Sequence, residues 1–211
     1  MAREPYTQTR RERQAAARLD QILDAAARLF AERGFHRTTT RDIAEAADVS
    51  EGTLYNYFDN KNDLLFGILE RLTESQMGQP GFADPQSSDP RQFFAQVLND
   101  RQTFMQNNGV MMQAILSEIL ANAELRERYS RQMLQPTLQS VEQNLAARLS
   151  LGQIRPIDLA ASTRILSSIS LSLFLLQVLG DPLVQSQWDK LVETIVTMIF
   201  DGIAARPTGT E

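Results

Sequence analysis

The segment from residue 39 to 66, TTRDIAEAADVSEGTLYNYFDNKNDLLF, contains three helix N-cap residues in close succession. Thr39, Ser50 and Asn60 are residue types whose side chains bond the free N–H groups of a first helical turn. Asp42 stands three positions after Thr39, as the acidic member of a capping box. Helix starts this close together leave room only for short helices and tight turns. The segment therefore predicts two short helices joined by a turn, followed by a third helix.

The two short helices differ in the surfaces they present. Small or apolar residues on the inward side let the helices cross closely: Ile43, Ala44, Ala47, Val49, Leu54 and Phe58. The outer side of the second helix carries small, polar and aromatic groups: Glu51, Gly52, Thr53, Tyr55 and Tyr57. Such a face suits insertion into the major groove of DNA, whereas an ordinary surface helix gains nothing from two exposed tyrosines.

Apolar residues recur at helical spacing along almost the whole chain, and no run of strict alternation indicates a strand. We therefore expect an all-α fold of about nine helices. Besides the short ones, the predicted helices cover residues 18–33, 91–107, 110–121, 124–149 with a break at Pro136, 156–179 and 187–204. Residues 78–90, GQPGFADPQSSDP, predict a loop that divides the chain into two parts.

The composition argues against most kinds of catalytic centre. The chain has 211 residues, no cysteine and a single histidine, His36, so thiolate metal sites and clusters of imidazole ligands are excluded. No nucleophile or pair of carboxylates stands out. We therefore expect neither an enzyme nor a bound metal or cofactor, and we assign His36 a structural or phosphate-side role.

Two stretches bear on the location of the protein. Residues 1–18 are polar and arginine-rich, without the apolar core of a signal peptide. Residues 165–179 are interrupted by serines and are shorter than the roughly 20 apolar residues of a membrane-spanning helix. Together with the lack of cysteine, these features predict a cytoplasmic protein with no membrane partner.

Charge is distributed unevenly along the chain. The formal net charge is −5, yet residues 1–41 contain nine arginines and five acidic residues, while residues 42–211 contain 12 basic and 21 acidic ones. A basic N-terminal end suits an anionic surface, although a solvated tail has the same composition. Residues 1–17 are predicted to form a basic flexible arm.

Residues 19–69 resemble the DNA-binding domain of the TetR/AcrR family of bacterial transcriptional repressors. The similar positions are Phe30 to Phe35, Thr38-Thr39, Asp42-Ile43-Ala44, Val49-Ser50, Gly52-Thr53-Leu54-Tyr55, Tyr57-Phe58, Lys61 and Leu64-Leu65. Asp48 departs from the glycine frequent in the family, but aspartate tolerates the left-handed conformation that the turn needs. The resemblance implies a helix-turn-helix domain over residues 18–66 and a helical domain over residues 67–211 that binds an effector and dimerises.

The resemblance also implies which residues meet a double-stranded DNA operator. It implies that the DNA backbone is contacted by Thr53, Tyr55 and Lys61. It also implies that base edges lie near Arg41, Glu51, Gly52 and Tyr57, with Thr40 as a further contact. Arg41 is the best candidate for reading a base, because a guanidinium bonds guanine at two points, whereas Glu51 accepts only from cytosine. Lys61 in a first helical turn opposes the helix dipole, and a nearby phosphate would offset this.

The C-terminal part concentrates aromatic and methionine side chains. Such residues pack in cores by default, but they also line apolar ligand sites. In view of the resemblance, we assign the following residues to a pocket for a small apolar or amphipathic effector: Phe93, Phe104, Met105, Met111, Met112, Glu118, Met133 and Phe174. The helix from Asn60 to about Met77 is expected to connect ligand and operator. A domain that docks another protein instead of a small molecule is the alternative.

The last two long helices carry apolar groups on more than one side. One stripe on each is predicted to form a four-helix interface in a homodimer: Ile165, Ile169, Leu173, Leu176, Leu191, Ile195 and Met198. The alternative is a large core within one chain. The predicted function is a homodimeric repressor that binds a palindromic operator and is released by a ligand.

Overall fold

The computed structural model describes residues 10–77 and 89–202, which are mainly helical and contain no strand. The elements are α1 (Arg10–Arg33), α2 (Thr40–Ala46), α3 (Glu51–Tyr55), α4 (Lys61–Met77), α5 (Pro90–Ala121), α6 (Ala123–Tyr129), a π-helical turn (Ser130–Leu134), α7 (Gln135–Ser150), α8 (Leu159–Val178), α9 (Pro182–Ser186) and α10 (Trp188–Asp201). With residues 123–150 counted as one helix that contains a π turn, the described chain has nine helices. The all-α prediction is confirmed.

The described chain forms two compact units. The first unit comprises residues 10–77 and 110–127, and the second comprises residues 89–109 and 128–202. Most of the loop predicted over residues 78–90 lies outside the described residues, as do Phe82, residues 1–9 and residues 203–204 of the last predicted helix. The boundary predicted near residue 67 does not coincide with the division into two units, because α4 and the second half of α5 belong to the first unit.

In the first unit, α1 packs against α2 and α4, and α2 packs against α3. Its core consists of side chains at most 8% exposed: Ile22, Leu23, Ala25, Ala26, Leu29, Phe30, Phe35, Ile43, Ala44, Ala47, Leu54, Phe58, Leu64, Leu65, Phe66, Ile68, Leu69, Ile115, Ile119 and Leu125. Gly67 permits a close approach, because a Cβ there would lie 3.0 Å from the Phe58 ring and 3.1 Å from Leu23. The predicted inward faces of α2 and α3 are thus confirmed.

Helix α1 begins at Arg10, eight residues before the predicted start. Residues 10–18, RRERQAAAR, are all favourable in helices, and three consecutive alanines lower the cost of extending the helix further. Residues 10–17 are therefore not the flexible arm expected from their charge. Their exposed arginines project from a helix instead.

Helix α5 is continuous through Gly109, where the sequence suggested two separate helices. A glycine inside a helix costs about 1 kcal/mol relative to alanine. Phe104 and Ile115, on either side of Gly109, are buried, and each contributes roughly 1.5–3 kcal/mol by burial. The free energy gained by burying Phe104 and Ile115 therefore exceeds the cost of placing Gly109 inside the helix. As a result, α5 runs from the second unit into the first.

The second unit has its core between α5, α8, α9 and α10. Leu98, Leu173, Val184 and Val192 form a buried cluster, with Phe94, Ile169, Trp188, Leu191 and Ile195 among the half-buried side chains packed against it. Asp158 caps α8 by accepting the Ala161 N–H at 2.9 Å, so that helix starts after Asp158 and not at Pro156. Asp181 caps α9, a short helix that the sequence did not predict.

The break expected at Pro136 takes the form of the π-helical turn just before it. Proline has no N–H, and its ring would clash with the carbonyl group four residues earlier in an ideal α-helix. The turn widens ahead of Pro136, and the Gln135 N–H bonds the Ser130 carbonyl five residues back. The chain then continues as α7 without leaving the helical direction.

Candidate nucleic-acid interface

Local hydrogen bonds hold the turn between α2 and α3 in the form that the sequence predicts. The Asp42 N–H donates to Thr39 Oγ1 at 3.1 Å, and the Thr39 N–H donates to Asp42 Oδ2 at 2.8 Å, which completes the capping box. The Thr53 N–H donates to Ser50 Oγ at 3.1 Å. Asp48 has a φ of 50° and is the only non-glycine residue of the described chain with positive φ. The expected left-handed turn at Asp48 is therefore present.

Bonding to Thr39 lowers the pKa of the Asp42 carboxyl group, through the side-chain hydroxyl first and the backbone N–H second. The ionised form of Asp42 is therefore the form that supports the start of α2.

Helix α3 presents an outer face that the rest of the first unit leaves uncovered. Tyr55 and Tyr57 are exposed, and so are Glu51 and Gly52. A Cβ built at Gly52 would have a single neighbour within 4 Å, Ser50 Oγ at 3.8 Å. Packing within the chain thus gives no reason for glycine at position 52. A close approach by an external molecule would give one.

Two of the predicted DNA-contacting residues meet directly. The hydroxyl groups of Thr40 and Tyr55 lie 3.1 Å apart, which ties the start of α2 to the outer face of α3. Arg41 follows Thr40 and is exposed at the same helix start. Thr53 is half-buried, and its hydroxyl group lies 2.8 Å from Ser50 Oγ. The start of α2, which carries Arg41, thus adjoins the outer face of α3, which carries Gly52 and Tyr55.

Lys61, which is predicted to contact the DNA backbone, also has partners within the first unit. Its ammonium group donates to the carbonyl oxygens of Phe35 at 2.7 Å and Thr38 at 3.0 Å, and it lies 4.3 Å from the centre of the Phe35 ring. Burial lowers the pKa of Lys61, and the charge of Glu118 partly opposes this. Lys61 therefore joins α4 to the loop between α1 and α2. The contacts with Phe35 and Thr38 give a structural reason for a lysine at the start of α4, besides a contact with a DNA phosphate.

Glu118 and His36 also meet in the first unit. His36 Nε2 lies 3.1 Å from Glu118 Oε1, and the imidazole ring contacts Phe35 edge to face. The structural role assigned to His36 fits this geometry. Glu118, which the sequence assigned to an effector pocket in the C-terminal domain, thus has its carboxylate at the loop after α1, in the first unit.

The remaining predicted pocket residues are divided between the two units. Met111 and Met112 follow Gly109 in α5 and lie in the first unit. In the second unit, Phe104, Met133 and Phe174 are buried and Met105 is half-buried. The eight residues therefore do not belong to one common core.

Phe93 of the second unit contacts a buried arginine. Its ring centre lies 4.4 Å from the guanidinium carbon of Arg148, which is only 2% exposed. Arg148 donates to Asn144 Oδ1 at 3.0 Å and to Gln153 Oε1 at 2.9 Å. Nothing in the sequence distinguished Arg148 from the surface arginines, because its burial depends on the packing of α7.

The predicted dimer-interface residues fall on two different sides of α8 and α10. Leu173 is part of the buried core, and Ile169, Leu191 and Ile195 pack against it, so these four residues do not form an outward stripe. Ile165, Leu176 and Met198 are exposed. The sequence did not settle which side of each helix faces inward, because both sides are apolar.

The exposed side of α8 is more apolar than predicted. Besides Ile165 and Leu176 it includes Leu175 and Leu179, the last 72% exposed. Ser168 and Ser172 lie between them, and their hydroxyl groups donate to the carbonyl oxygens of Arg164 and Ser168, both at 2.6 Å. We call this surface, with Ile165, Ser168, Ser172, Leu175, Leu176 and Leu179, the outer face of α8.

Within the described chain, α8 is one helix that is long and apolar enough, by length and composition alone, to cross a membrane. The sequence analysis considered only residues 165–179, whereas the helix spans Leu159–Val178 and is therefore longer than expected. One such helix is weak evidence, since helices of water-soluble proteins satisfy the same criteria.

Comparisons with known proteins agree with the geometry of the first unit. Residues 22–68 match the family described as bacterial regulatory proteins, tetR family. The chain is 44% identical over 64 residues to the HTH-type transcriptional repressor KstR2 of Rhodococcus jostii (strain RHA1), an alignment that covers 30% of this chain and 31% of that protein. The chain thus spans about a third of the length of this curated relative.

Solved structures extend the likeness to the whole fold. A putative TetR-family transcriptional regulator from Syntrophomonas wolfei has a TM-score of 0.76 at 18% identity, with 93% of this chain and 100% of that chain covered. FadR from Bacillus subtilis in complex with stearoyl-CoA has a TM-score of 0.65 at 22% identity, with 88% and 99% covered. These identities show a common fold. The helix-turn-helix geometry agrees with the match over residues 22–68, so this part of the chain is a DNA-binding domain of the type found in bacterial regulatory proteins of the tetR family.

Proposed function

We propose that this protein is a cytoplasmic, homodimeric repressor that binds a palindromic operator and leaves it when a small amphipathic ligand binds the second unit. The observation that carries the proposal is the outer face of α3. It offers exposed tyrosines and an unobstructed glycine at the place where a helix-turn-helix protein meets the major groove. KstR2, the relative described above, is named a repressor, which supports repression over activation.

Electrostatics favours a DNA partner for this end of the molecule. Arg10, Arg11, Arg13 and Arg18 are exposed along α1, and Arg41 is exposed at the start of α2. Residues 42–70, in contrast, contain one basic and seven acidic residues. Most of the attraction to phosphates must therefore come from the arginines of α1 and from Arg41. Because such attraction releases counterions, binding should weaken steeply as salt concentration rises.

Dimerisation is supported by the outer face of α8. A water-soluble monomer rarely leaves so many neighbouring apolar side chains uncovered. A second copy that presents the same face would cover it by two-fold symmetry, and a two-fold protein reads two-fold DNA with half-sites about one helical turn apart. The alternative remains that this face docks a different protein. Sedimentation equilibrium of the purified chain separates the two, since only the first gives a dimer without a partner.

Release by a ligand is supported by FadR from Bacillus subtilis, whose structure is a complex with stearoyl-CoA, and by α5, which belongs to both units of this chain. Coupling between ligand and operator must be reciprocal, with the same factor in each direction, typically about 5- to 150-fold. A ligand found by thermal-shift screening should bind more weakly when operator DNA is saturating. Equal affinities in the two titrations would reject release by that ligand.

Selection from a random pool of duplex DNA tests the central claim. The wild-type protein should enrich a palindromic sequence, and Arg41→Ala should relax the preference at one position of each half-site by about 1–3 kcal/mol. Arg155→Ala, which removes an exposed arginine from the second unit, is the matched control and should leave the selected sequence unchanged. Failure of the wild-type protein to enrich any sequence would overturn the proposal.

A further inference from the structure

The loop between α1 and α2, residues 34–39, is tied to three helices of the first unit. The Thr38 hydroxyl group donates to the Gly34 carbonyl oxygen at 2.9 Å, which fastens the loop to the end of α1. From α4, Lys61 bonds two carbonyl oxygens of the loop. From α5, Glu118 contacts the histidine of the loop. The last residue of the loop is the N-cap of α2, so the position of the loop sets where α2 begins.

Glu118 is the acidic member of this arrangement, and its side chain is nearly buried. It is 12% exposed, whereas the side chain of its partner His36 is 81% exposed. Loss of water costs a carboxylate free energy, and a pair with an exposed group returns little of it. An apolar residue at position 118 would fill the same space without this cost. Stability alone therefore gives no reason for a carboxylate here.

The charge of Glu118 also acts on Lys61. Burial lowers the pKa of Lys61, and the carboxylate of Glu118 opposes this. It thereby favours the charged form of the ammonium group that bonds the loop. The Phe35 ring lies beside both cationic partners, 4.3 Å from Lys61 Nζ and in edge-to-face contact with the His36 ring. Glu118 thus acts on the loop directly through His36 and indirectly through Lys61.

The residues that follow the loop belong to the proposed DNA surface. Thr40 opens α2 and lies 3.1 Å from the Tyr55 hydroxyl group of α3, and Arg41 is exposed beside it. A guanidinium bonds guanine at two points only in a narrow range of positions. A shift of the loop would move the start of α2 and carry Arg41 out of that range.

We propose that Glu118 is a positioning residue for operator binding. Through His36 and Lys61 it holds the loop over residues 34–39, and the loop in turn fixes Arg41 at the DNA surface. The inference rests on the proposed function and extends it to a residue of α5, outside the helix-turn-helix. Its distinctive consequence is a carboxylate that strengthens binding to a polyanion, although carboxylates otherwise repel phosphates.

Operator affinities of two charge-matched variants test this role. Glu118→Ala and Glu70→Ala each remove one carboxylate from the first unit, and Glu70 is an exposed residue of α4. By charge alone, both changes strengthen binding to DNA. Positioning predicts opposite signs. Glu118→Ala should weaken binding to the duplex selected by the wild-type protein by about tenfold, whereas Glu70→Ala should bind it equally or more tightly.

Further variants show whether the loss passes through the loop. His36→Ala should weaken binding by a smaller factor, because Lys61 still holds the loop, and the double variant should bind no more weakly than Glu118→Ala. Glu118→Gln keeps an oxygen atom without the charge and should recover part of the affinity. Urea unfolding separates this role from a structural one, in which stability falls and the folded protein keeps its affinity.

Two results would overturn the proposal. One is operator binding by Glu118→Ala that equals or exceeds that of the wild type. The other is additive losses in the double variant, since independent effects mean that Glu118 does not act through His36. If Glu118→Ala does not fold, His36→Ala and Glu118→Gln carry the test, and wild-type affinity in both overturns the proposal.

Hydrogen exchange in the absence of DNA separates this proposal from the proposed function. Glu118→Ala should speed amide exchange in a peptide that covers residues 34–42, and Glu70→Ala should not. Faster exchange in Glu118→Ala, together with a wild-type protein that selects no DNA sequence, supports the hold on the loop and counts against the repressor function alone. Unchanged exchange counts against positioning by Glu118, whichever duplex the protein binds.

Discussion

The two units of this protein differ in how completely they bury their apolar side chains. In the first unit, α1 to α4 direct their large apolar residues inward, and the uncovered exceptions include Tyr55 and Tyr57 of the proposed DNA surface. In the second unit, α8 has buried residues on one side and a row of exposed ones on the other. Helices α1 to α4 therefore bury nearly all of their large apolar side chains within the chain. Among the described residues, nothing covers the apolar outer face of α8 in the second unit.

The largest expected effect comes from charging the two sides of α8 in turn. Ile169→Asp places a carboxylate against the core and should destabilise the second unit by more than about 4 kcal/mol, enough to unfold it. Ile165→Asp, one helical turn away on the outer face of α8, should leave the fold intact and convert the dimer to a monomer. Circular dichroism and sedimentation equilibrium measure the two outcomes. A stable dimer in both variants would contradict the assignment of the two sides.

A smaller effect is expected from Lys61 in the first unit. Lys61→Met keeps most of the aliphatic chain but leaves the carbonyl oxygens of Phe35 and Thr38 without their donor, at a cost of about 1–3 kcal/mol in the free energy of unfolding. Lys190 is the other lysine of the chain and is exposed, so Lys190→Met is the matched control.

The same Lys61 variant tests whether the ammonium group also meets DNA. If it does, the slope of log affinity against log salt should fall by about 1 in addition to the loss of stability. Unchanged stability with weakened DNA binding would mean that the phosphate contact, and not the carbonyl bonds, explains this lysine.

A substitution at Gly52 should change operator affinity without destabilising the fold. Gly52→Ala adds a methyl group where the chain leaves space, so the free energy of unfolding should stay equal or rise by up to about 1 kcal/mol. Operator affinity should nevertheless fall, because the methyl group would occupy space needed for the approach of DNA. Chemical denaturation and a fluorescence binding assay measure the two quantities. Unchanged operator affinity would remove Gly52 from the DNA surface.

The smallest effect is expected from the capping box of α2. The pKa of Asp42 is lowered in the folded state, so its contribution to stability is present above the ordinary value of 3.8 and is lost as pH falls through the lowered folded value. Asp42→Asn should therefore lower the melting temperature near neutral pH and flatten its decline in acid. Glu45→Gln removes a carboxylate from the same helix, away from the cap, and serves as the control. Identical pH profiles for wild type and Asp42→Asn would contradict the assignment.

Much of the first unit was predictable because its signals are local. Thr39 and Ser50 each cap a helix through the N–H group three positions further on, and Asp48 adopts a positive φ within its own turn. The exposure of Tyr55 and Tyr57 followed from the same short-range spacing. The structural partners of Lys61 were not predicted, because the carbonyl groups of Phe35 and Thr38 lie more than twenty positions earlier in the chain.

The sequence by itself determined the helical class, the helix-turn-helix and the residues that α3 exposes, because caps and helical periodicity act over a few neighbouring positions. Only the tertiary structure decided which side of α8 is buried, since Ile165 and Ile169 are equally apolar and differ only in what packs against them. It also decided that α5 continues through Gly109 and carries Glu118 to His36. Such choices depend on the free energy of burying surface against distant segments, and no short stretch of sequence contains that information.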